Sequence, residues 1–235
     1  MLEQSKKVIE FLSPAEIKEN ISSFSELKSF IKQASPYTVL PIDFFESVLK
    51  KIPDLEITKQ GNWVQIGVWK GGGSLFFKAL MSDLNVKHQL FLYDTFGNIP
   101  VTDFTANEDV EFVHEFNMAD NKSTLSYKQD VESLFAKFNL NEEVKFIQSD
   151  VNHLESANIP DKIALLFIDV DFYKPTLASL NLFYDKVLPG GIIIIDDYFL
   201  KMFNCRNAVD DFFISRKIDL NPVLSKFSSY SAIII

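Results

Sequence analysis

The chain has 235 residues, 47% of them hydrophobic, 23 phenylalanines and a net charge of -9. That charge excludes a nucleic-acid backbone or an anionic membrane surface as the main partner. The length suits one domain with a full central sheet, plus an N-terminal appendage.

Cys205 is the sole cysteine, so no intrachain disulfide can form and a reducing, cytoplasmic setting is expected. The first residues, Met1 to Lys7, lead into no signal-like apolar core, and no apolar run is long enough for a transmembrane helix. With no histidine near it in sequence, Cys205 reads as a small buried residue rather than a nucleophile. A homo-oligomer is compatible with these features and not required by them.

Residues 1–55 read as a helical, peripheral N-terminal cap, and residues 56–235 as the main domain. Ser13-Pro14-Ala15-Glu16 has the spacing of a helix start. A second start at Leu40-Pro41-Ile42-Asp43 leads into Phe44, Phe45, Val48, Leu49 and Ile52, one buried helix face that Pro53 ends. Trp63 to Gly67 reads as the first strand. It runs through Val68-Trp69-Lys70-Gly71-Gly72-Gly73-Ser74 into a helix reaching Leu84. Glycines between strand and helix let backbone approach a ligand closely and offer free N–H groups to it. The spacing is neither that of a dinucleotide fingerprint nor that of a phosphate loop.

Gln89 to Asp94 makes a second strand ending in an acid, placed where a Rossmann-like unit bonds ribose hydroxyls. After the turn Thr95 to Pro100, the polar, phenylalanine-dotted stretch to Leu125 is a candidate lid or substrate loop. It contains His114, a candidate base. Tyr127 to Phe138 reads as a helix, Val144 to Gln148 as a third strand and Ser149-Asp150-Val151 as its turn.

The run Ile163 to Ile168 stops at Asp169-Val170-Asp171. Tyr173-Lys174-Pro175-Thr176 opens a helical segment, and after Leu188-Pro189-Gly190-Gly191 a second run, Ile192 to Ile195, stops at Asp196-Asp197. Short apolar runs without alternation suit parallel strands covered on both faces. A right-handed crossover then brings both acidic doublets to the carboxyl edge, where open α/β sheets bind ligands. Helix capping explains one carboxylate per helix, not two doublets. Four carboxylates at one edge call for a hard cation, Mg²⁺ first, with Ca²⁺ or Mn²⁺ as alternatives. Asn204 to Phe213 reads as the next helix, and Pro222 to Phe227 with Tyr230 to Ile235 as a closing hairpin through Ser228-Ser229. The whole is an α/β class I methyltransferase layout: a Rossmann-like, mostly parallel seven-stranded sheet with an antiparallel last strand.

Five segments resemble the macrocin O-methyltransferase (TylF-type) family of sugar methyltransferases, which use S-adenosylmethionine and Mg²⁺. They are Gly67-Val68-Trp69-Lys70-Gly71-Gly72, Tyr93-Asp94-Thr95-Phe96 with Ile99-Pro100, Ile168 to Tyr173 with Thr176, Pro189-Gly190-Gly191 through Tyr198, and Cys205-Arg206 with Ala208-Val209-Asp210. The resemblance implies a sugar acceptor on a small molecule. It sets the methionine part of the cofactor against the glycine turn, with Gln65, Gly67, Val68, Gly71, Gly72 and Ser74, its ribose against Asp94 and Thr95, and its adenine at Ser149-Asp150. It makes Asp169, Asp196 and Asp197 the metal ligands, with Asp169 also beside the cofactor, and Asp171 the general base. Gln65 stands where the family favours Glu, Lys70 where it favours Arg, and Gln148-Ser149-Asp150 replaces G-W-F.

Two other classes are compatible with parts of this pattern. A glycosyltransferase could use Asp169-Val170-Asp171 to hold Mn²⁺ and a nucleotide-sugar diphosphate, but it leaves the glycine turn and Asp196-Asp197 without a task. A non-catalytic binding protein would have no reason to keep all the acids.

Overall fold

The computed structural model describes residues 32–98, 125–200 and 203–234. In chain order these form α1 (Ile42–Lys51), β1 (Asn62–Ile66), α2 (Gly72–Asp83), β2 (Leu90–Asp94), α3 (Lys128–Lys137), β3 (Val144–Gln148), β4 (Ile163–Ile168), α4 (Tyr173–Phe183), β5 (Val187–Ile195), α5 (Cys205–Ser215), β6 (Leu224–Lys226) and β7 (Ala232–Ile234). The seven strands lie in the order β3-β2-β1-β4-β5-β7-β6. The first five are parallel, and β7 runs antiparallel between β5 and β6. This is the expected sheet, closed by the expected hairpin.

Alternation along the strands splits the interior into two cores, because successive side chains point to opposite faces. One face carries Trp63, Leu92, Phe167 and Ile194 against α1, α2 and α3. The other carries Val64, Ile66, Ile168 and Ile195 against α4 and α5. All six residues of β4 are buried, as a central strand covered on both faces requires.

Helix α1 buries the apolar face expected of it, with Phe44, Phe45, Val48 and Leu49 all enclosed. Phe44 is fully buried, and its ring meets Phe45, Phe77, Phe167 and Phe227 at centroid distances of 5.6, 6.3, 5.1 and 5.6 Å. Phe167 belongs to the central strand and Phe227 to the closing hairpin, so α1 ties these two elements together through one aromatic cluster. Edge-to-face rings at such distances add to the burial of apolar area. The helix start expected at Ser13 to Glu16 lies outside the described residues.

Strand β5 begins earlier than its apolar run, at Val187. Leu188-Pro189-Gly190-Gly191, which precedes that run, is part of the strand as a bulge: β4 advances from Ile163 to Leu165 while β5 advances from Val187 to Ile192. Gly191 fits there because a Cβ would stand 2.7 Å from Val187 Cγ1 and 2.8 Å from the Leu188 carbonyl. No helix among the described residues is long and apolar enough to cross a membrane.

Candidate active site

Strand register builds the site. Ile66 pairs with Tyr93 on one side and Ile168 on the other, and Ile168 pairs with Ile195. The next residue of each chain, Asp94, Gly67, Asp169 and Asp196, therefore falls in one row along the carboxyl edge. Backbone bonds hold the row: Gly67 N–H donates to Tyr93 O (2.9 Å), Asp169 N–H to Ile66 O (2.8 Å) and Asp196 N–H to Ile168 O (2.9 Å).

Gly67 is required by contact as well as by conformation. Its φ is +86°, and a Cβ there would stand 1.7 Å from the Asp169 carbonyl oxygen. The turn that follows is pinned by side chains. Gln65, buried, donates to Gly67 O (2.8 Å) and accepts from the Ser74 hydroxyl (2.8 Å), tying the strand end to the first turn of α2. Asp94 Oδ2 accepts from Val68 N–H (2.6 Å) and Trp69 N–H (3.0 Å), while Oδ1 accepts from Phe96 N–H (2.7 Å). Thr95 Oγ1 lies 3.5 Å from the same Oδ1.

The structure thus gives several of the expected cofactor contacts a protein partner. Gln65 and Ser74 satisfy each other, and Asp94 orients the backbone of the glycine turn. Gly71 and Gly72 admit neighbouring protein closely. A Cβ on Gly71 would stand 2.7 Å from Val131 Cγ1, and one on Gly72 2.6 Å from the Tyr37 carbonyl. At the β3 end, Ser149 N–H donates to Asp94 O (2.9 Å). Asp150 Oδ1 accepts from Asn152 N–H (2.9 Å), and Oδ2 lies 3.2 Å from His153 Nδ1. Asp150 therefore caps the short turn beginning at Val151.

The acids gather beside this turn. Asp169 keeps some exposed surface, but its carboxyl group is enclosed. Burial, then the charges of Asp196, Asp171, Asp197 and Asp94, hold it well above the ordinary carboxylate range. Burial and the neighbouring Asp197 push Asp196 up to about 6, against the bond from Ser231. Burial, the charge of Asp171 and a hydrogen bond with it push Asp197 up to about 8. Both Asp171 and Asp197 occupy the left-handed region, at φ 60° and 54°, which turns their side chains off the strand direction.

Among the described residues no three His, Cys, Asp or Glu side chains enclose a metal-sized space as they stand. Asp196 is turned to Ser231 and Asp197 to Asp171. In chemistry the set fits a hard cation, since four oxygen-only donors that raise one another's proton affinity are relieved by positive charge. Asp169, Asp196 and Asp197 would be the residues to hold such a cation, Asp196 through the oxygen that Ser231 does not engage.

Helix α5 braces both acidic turns from below. Cys205 N–H donates to Asp171 O (3.2 Å), and its thiol, pushed up by burial, lies 3.5 Å from Asp196 O. One turn on, Asp210 accepts from the Tyr198 hydroxyl (2.8 Å) and lies 3.5 Å from Arg206 Nε. Cys205 is buried, as expected, and its place beneath the doublets explains its position in a shared motif. Ser231 was not among the expected site residues: nothing in its sequence neighbourhood marks it. His114, Ile99, Pro100 and the candidate lid up to residue 124 lie outside the described residues.

Residues 42–225 match the Macrocin-O-methyltransferase (TylF) family. Demethyldecarbamoylnovobiocin O-methyltransferase of Streptomyces niveus is 27% identical over 185 residues, covering 76% of this chain and 68% of that protein. Mycinamicin III 3''-O-methyltransferase of Micromonospora griseorubida is 29% identical over 157 residues, covering 65% of this chain and 60% of that protein. The solved structure of the O-methyltransferase NovP superposes with a TM-score of 0.74 at 25% identity, covering 84% of this chain and 81% of that one. The chain therefore spans some three fifths to two thirds of these curated relatives' length, and with a matched stretch that includes every described residue of the acidic edge, it belongs to the macrocin O-methyltransferase (TylF) family.

Proposed function

We propose that this chain transfers the methyl group of S-adenosylmethionine to a hydroxyl of a sugar unit on a small molecule, with Mg²⁺, or Mn²⁺ in its place, as resident cation. The observation that carries the reading is the row Asp94, Gly67, Asp169 and Asp196, joined by Asp171 and Asp197, in a chain of this family. The relatives named above are O-methyltransferases of demethyldecarbamoylnovobiocin and mycinamicin III, which supports a small-molecule acceptor. A cytoplasmic setting suits its one buried, free cysteine.

In this reading the glycine turn receives the methionine part of the cofactor, Asp94 its ribose and the Ser149-Asp150 turn its adenine. Gln65 and Ser74 hold the turn in shape. Asp169, Asp196 and Asp197 would hold the cation, which when bound would supply charge to lower the pKa of the acceptor hydroxyl. Asp171 takes the hydroxyl proton as the oxygen attacks the methyl carbon in line. The carbon–sulfur bond breaks, and its electron pair stays on sulfur. His114 is the second candidate for the base, and the segment from Phe96 to Leu125 the candidate for acceptor choice.

Calorimetric titration with S-adenosylmethionine and with UDP, each with and without Mg²⁺, tests the reading. Binding of S-adenosylmethionine alone is the expected result. Binding of UDP in its place would favour a glycosyltransferase, and binding of neither a non-catalytic protein.

A further inference from the structure

The antiparallel register that pairs Ile195 with Ala232 puts the next residues, Asp196 and Ser231, opposite each other. The Ser231 hydroxyl donates to Asp196 Oδ1, and the Ser228 hydroxyl lies 2.9 Å behind it. Both serines are buried, Ser231 completely. The direction of this chain is set by the backbone. Ser228 Oγ accepts from Ser231 N–H (3.1 Å), so its own proton is free to go to Ser231 Oγ, whose proton goes on to Asp196. The hairpin turn that carries the two serines is clamped in turn. Ser229 donates from N–H (2.6 Å) and hydroxyl (2.5 Å) to Asp43 Oδ2 at the start of α1.

We propose that Ser231, backed by Ser228, is the positioning residue for Asp196 as a cation ligand. A hydroxyl donating to Oδ1 fixes the carboxyl plane, so the other lone pairs meet the ion in one orientation without an ordering cost at binding. Partners of this kind around metal ligands contribute strongly although they never touch the ion. The proposal rests on the metal reading above, and the two can fail separately.

The test is Mn²⁺ binding, followed by the paramagnetic signal of free Mn²⁺ on the full chain without cofactor or acceptor. Ser231→Ala should weaken it by about 10- to 100-fold. Ser228→Ala, which leaves the direct donor in place, should weaken it by only a small part of that loss. Ser231→Thr, which keeps the hydroxyl, should regain most of the affinity. Affinity for S-adenosylmethionine without metal should be the same in all four proteins, which also shows that the variants are folded. If the unaltered chain binds Mn²⁺ and both alanine variants bind it equally well, the positioning role is overturned while the metal reading stands. If the unaltered chain takes up no Mn²⁺, the metal reading is lost and this proposal with it.

Discussion

The carboxyl groups of Asp171 and Asp197 share a hydrogen bond across the two acidic turns, each from a residue in the left-handed backbone region. Two ionised carboxylates cannot make such a bond, so one of them carries a proton when no cation is present. The pair is thereby sensitive to pH.

Its first consequence is a pH dependence of stability. Asp197 has an ordinary value of 3.8 in the unfolded chain and is pushed up to about 8 in the folded one. The folded protein therefore binds more protons between these limits, and stability falls as pH rises through them. Melting of the cation-free protein should show Tm decreasing from pH 5 to pH 8. Asp197→Asn should flatten this slope, and Mg²⁺ should restore stability most at the alkaline end. A melting temperature rising with pH over this range would contradict the arrangement.

A second prediction concerns Asp94, which has two tasks in one carboxylate. Its oxygens hold Val68 N–H, Trp69 N–H and Phe96 N–H, and the proposed ribose contact uses what acceptor capacity remains. Asp94→Ala should weaken S-adenosylmethionine binding by about 1.5–3 kcal/mol, the range for hydrogen bonds to a charged group. It should also lower stability by about 1–3 kcal/mol, because backbone donors lose their acceptor. Titration and urea unfolding on the same variant separate the two effects. Lost stability with unchanged affinity would leave Asp94 a purely structural residue.

The third prediction contrasts two glycines with the same sign of φ. At Gly67 a Cβ meets the Asp169 carbonyl at 1.7 Å, whereas at Gly190, φ +74°, nothing lies within 4 Å. Gly67→Ala should cost at least about 4 kcal/mol, the mark of an unrelievable clash. Gly190→Ala should cost only about 1–2 kcal/mol of left-handed strain. Equal losses by chemical denaturation would show that the turn at Gly67 moves freely.

What the sequence made legible follows the range of the forces involved. Strand β3 lies where its residues predict, as does the row of acids, because apolar runs and the residues that stop them are local signals. The early start of β5 was hidden since Pro189 and two glycines carry no strand signal, and only the pairing of Val187 with Ile163 makes them a bulge. Phe44 gave away its buried face but not its neighbours, which come from the central strand and the closing hairpin. The Ser231–Asp196 bond spans 35 residues and arises from the antiparallel register of β5 and β7. No periodicity encodes such a pair.

The last prediction separates ligand from base within Asp169-Val170-Asp171. Asp169 follows Ile168 directly in the row between Gly67 and Asp196, and its carboxyl is surrounded by all the other acids. Asp171 lies outside the row, turned by its left-handed backbone and bonded to Asp197. Asp169→Asn should therefore weaken Mg²⁺ affinity and turnover together, and excess Mg²⁺ should restore part of the rate. Asp171→Asn should lower turnover by about 10²- to 10⁴-fold, the usual worth of a general base. It should leave metal and cofactor binding intact, and it removes one charge that disfavours ionised Asp197, so Mg²⁺ affinity at neutral pH should if anything rise. Metal affinities and single-turnover rates of the two variants decide between the roles, and a reversed pattern would exchange them. If both variants keep their turnover while His114→Ala loses it, the proton leaves through His114, and the acids serve only the cation.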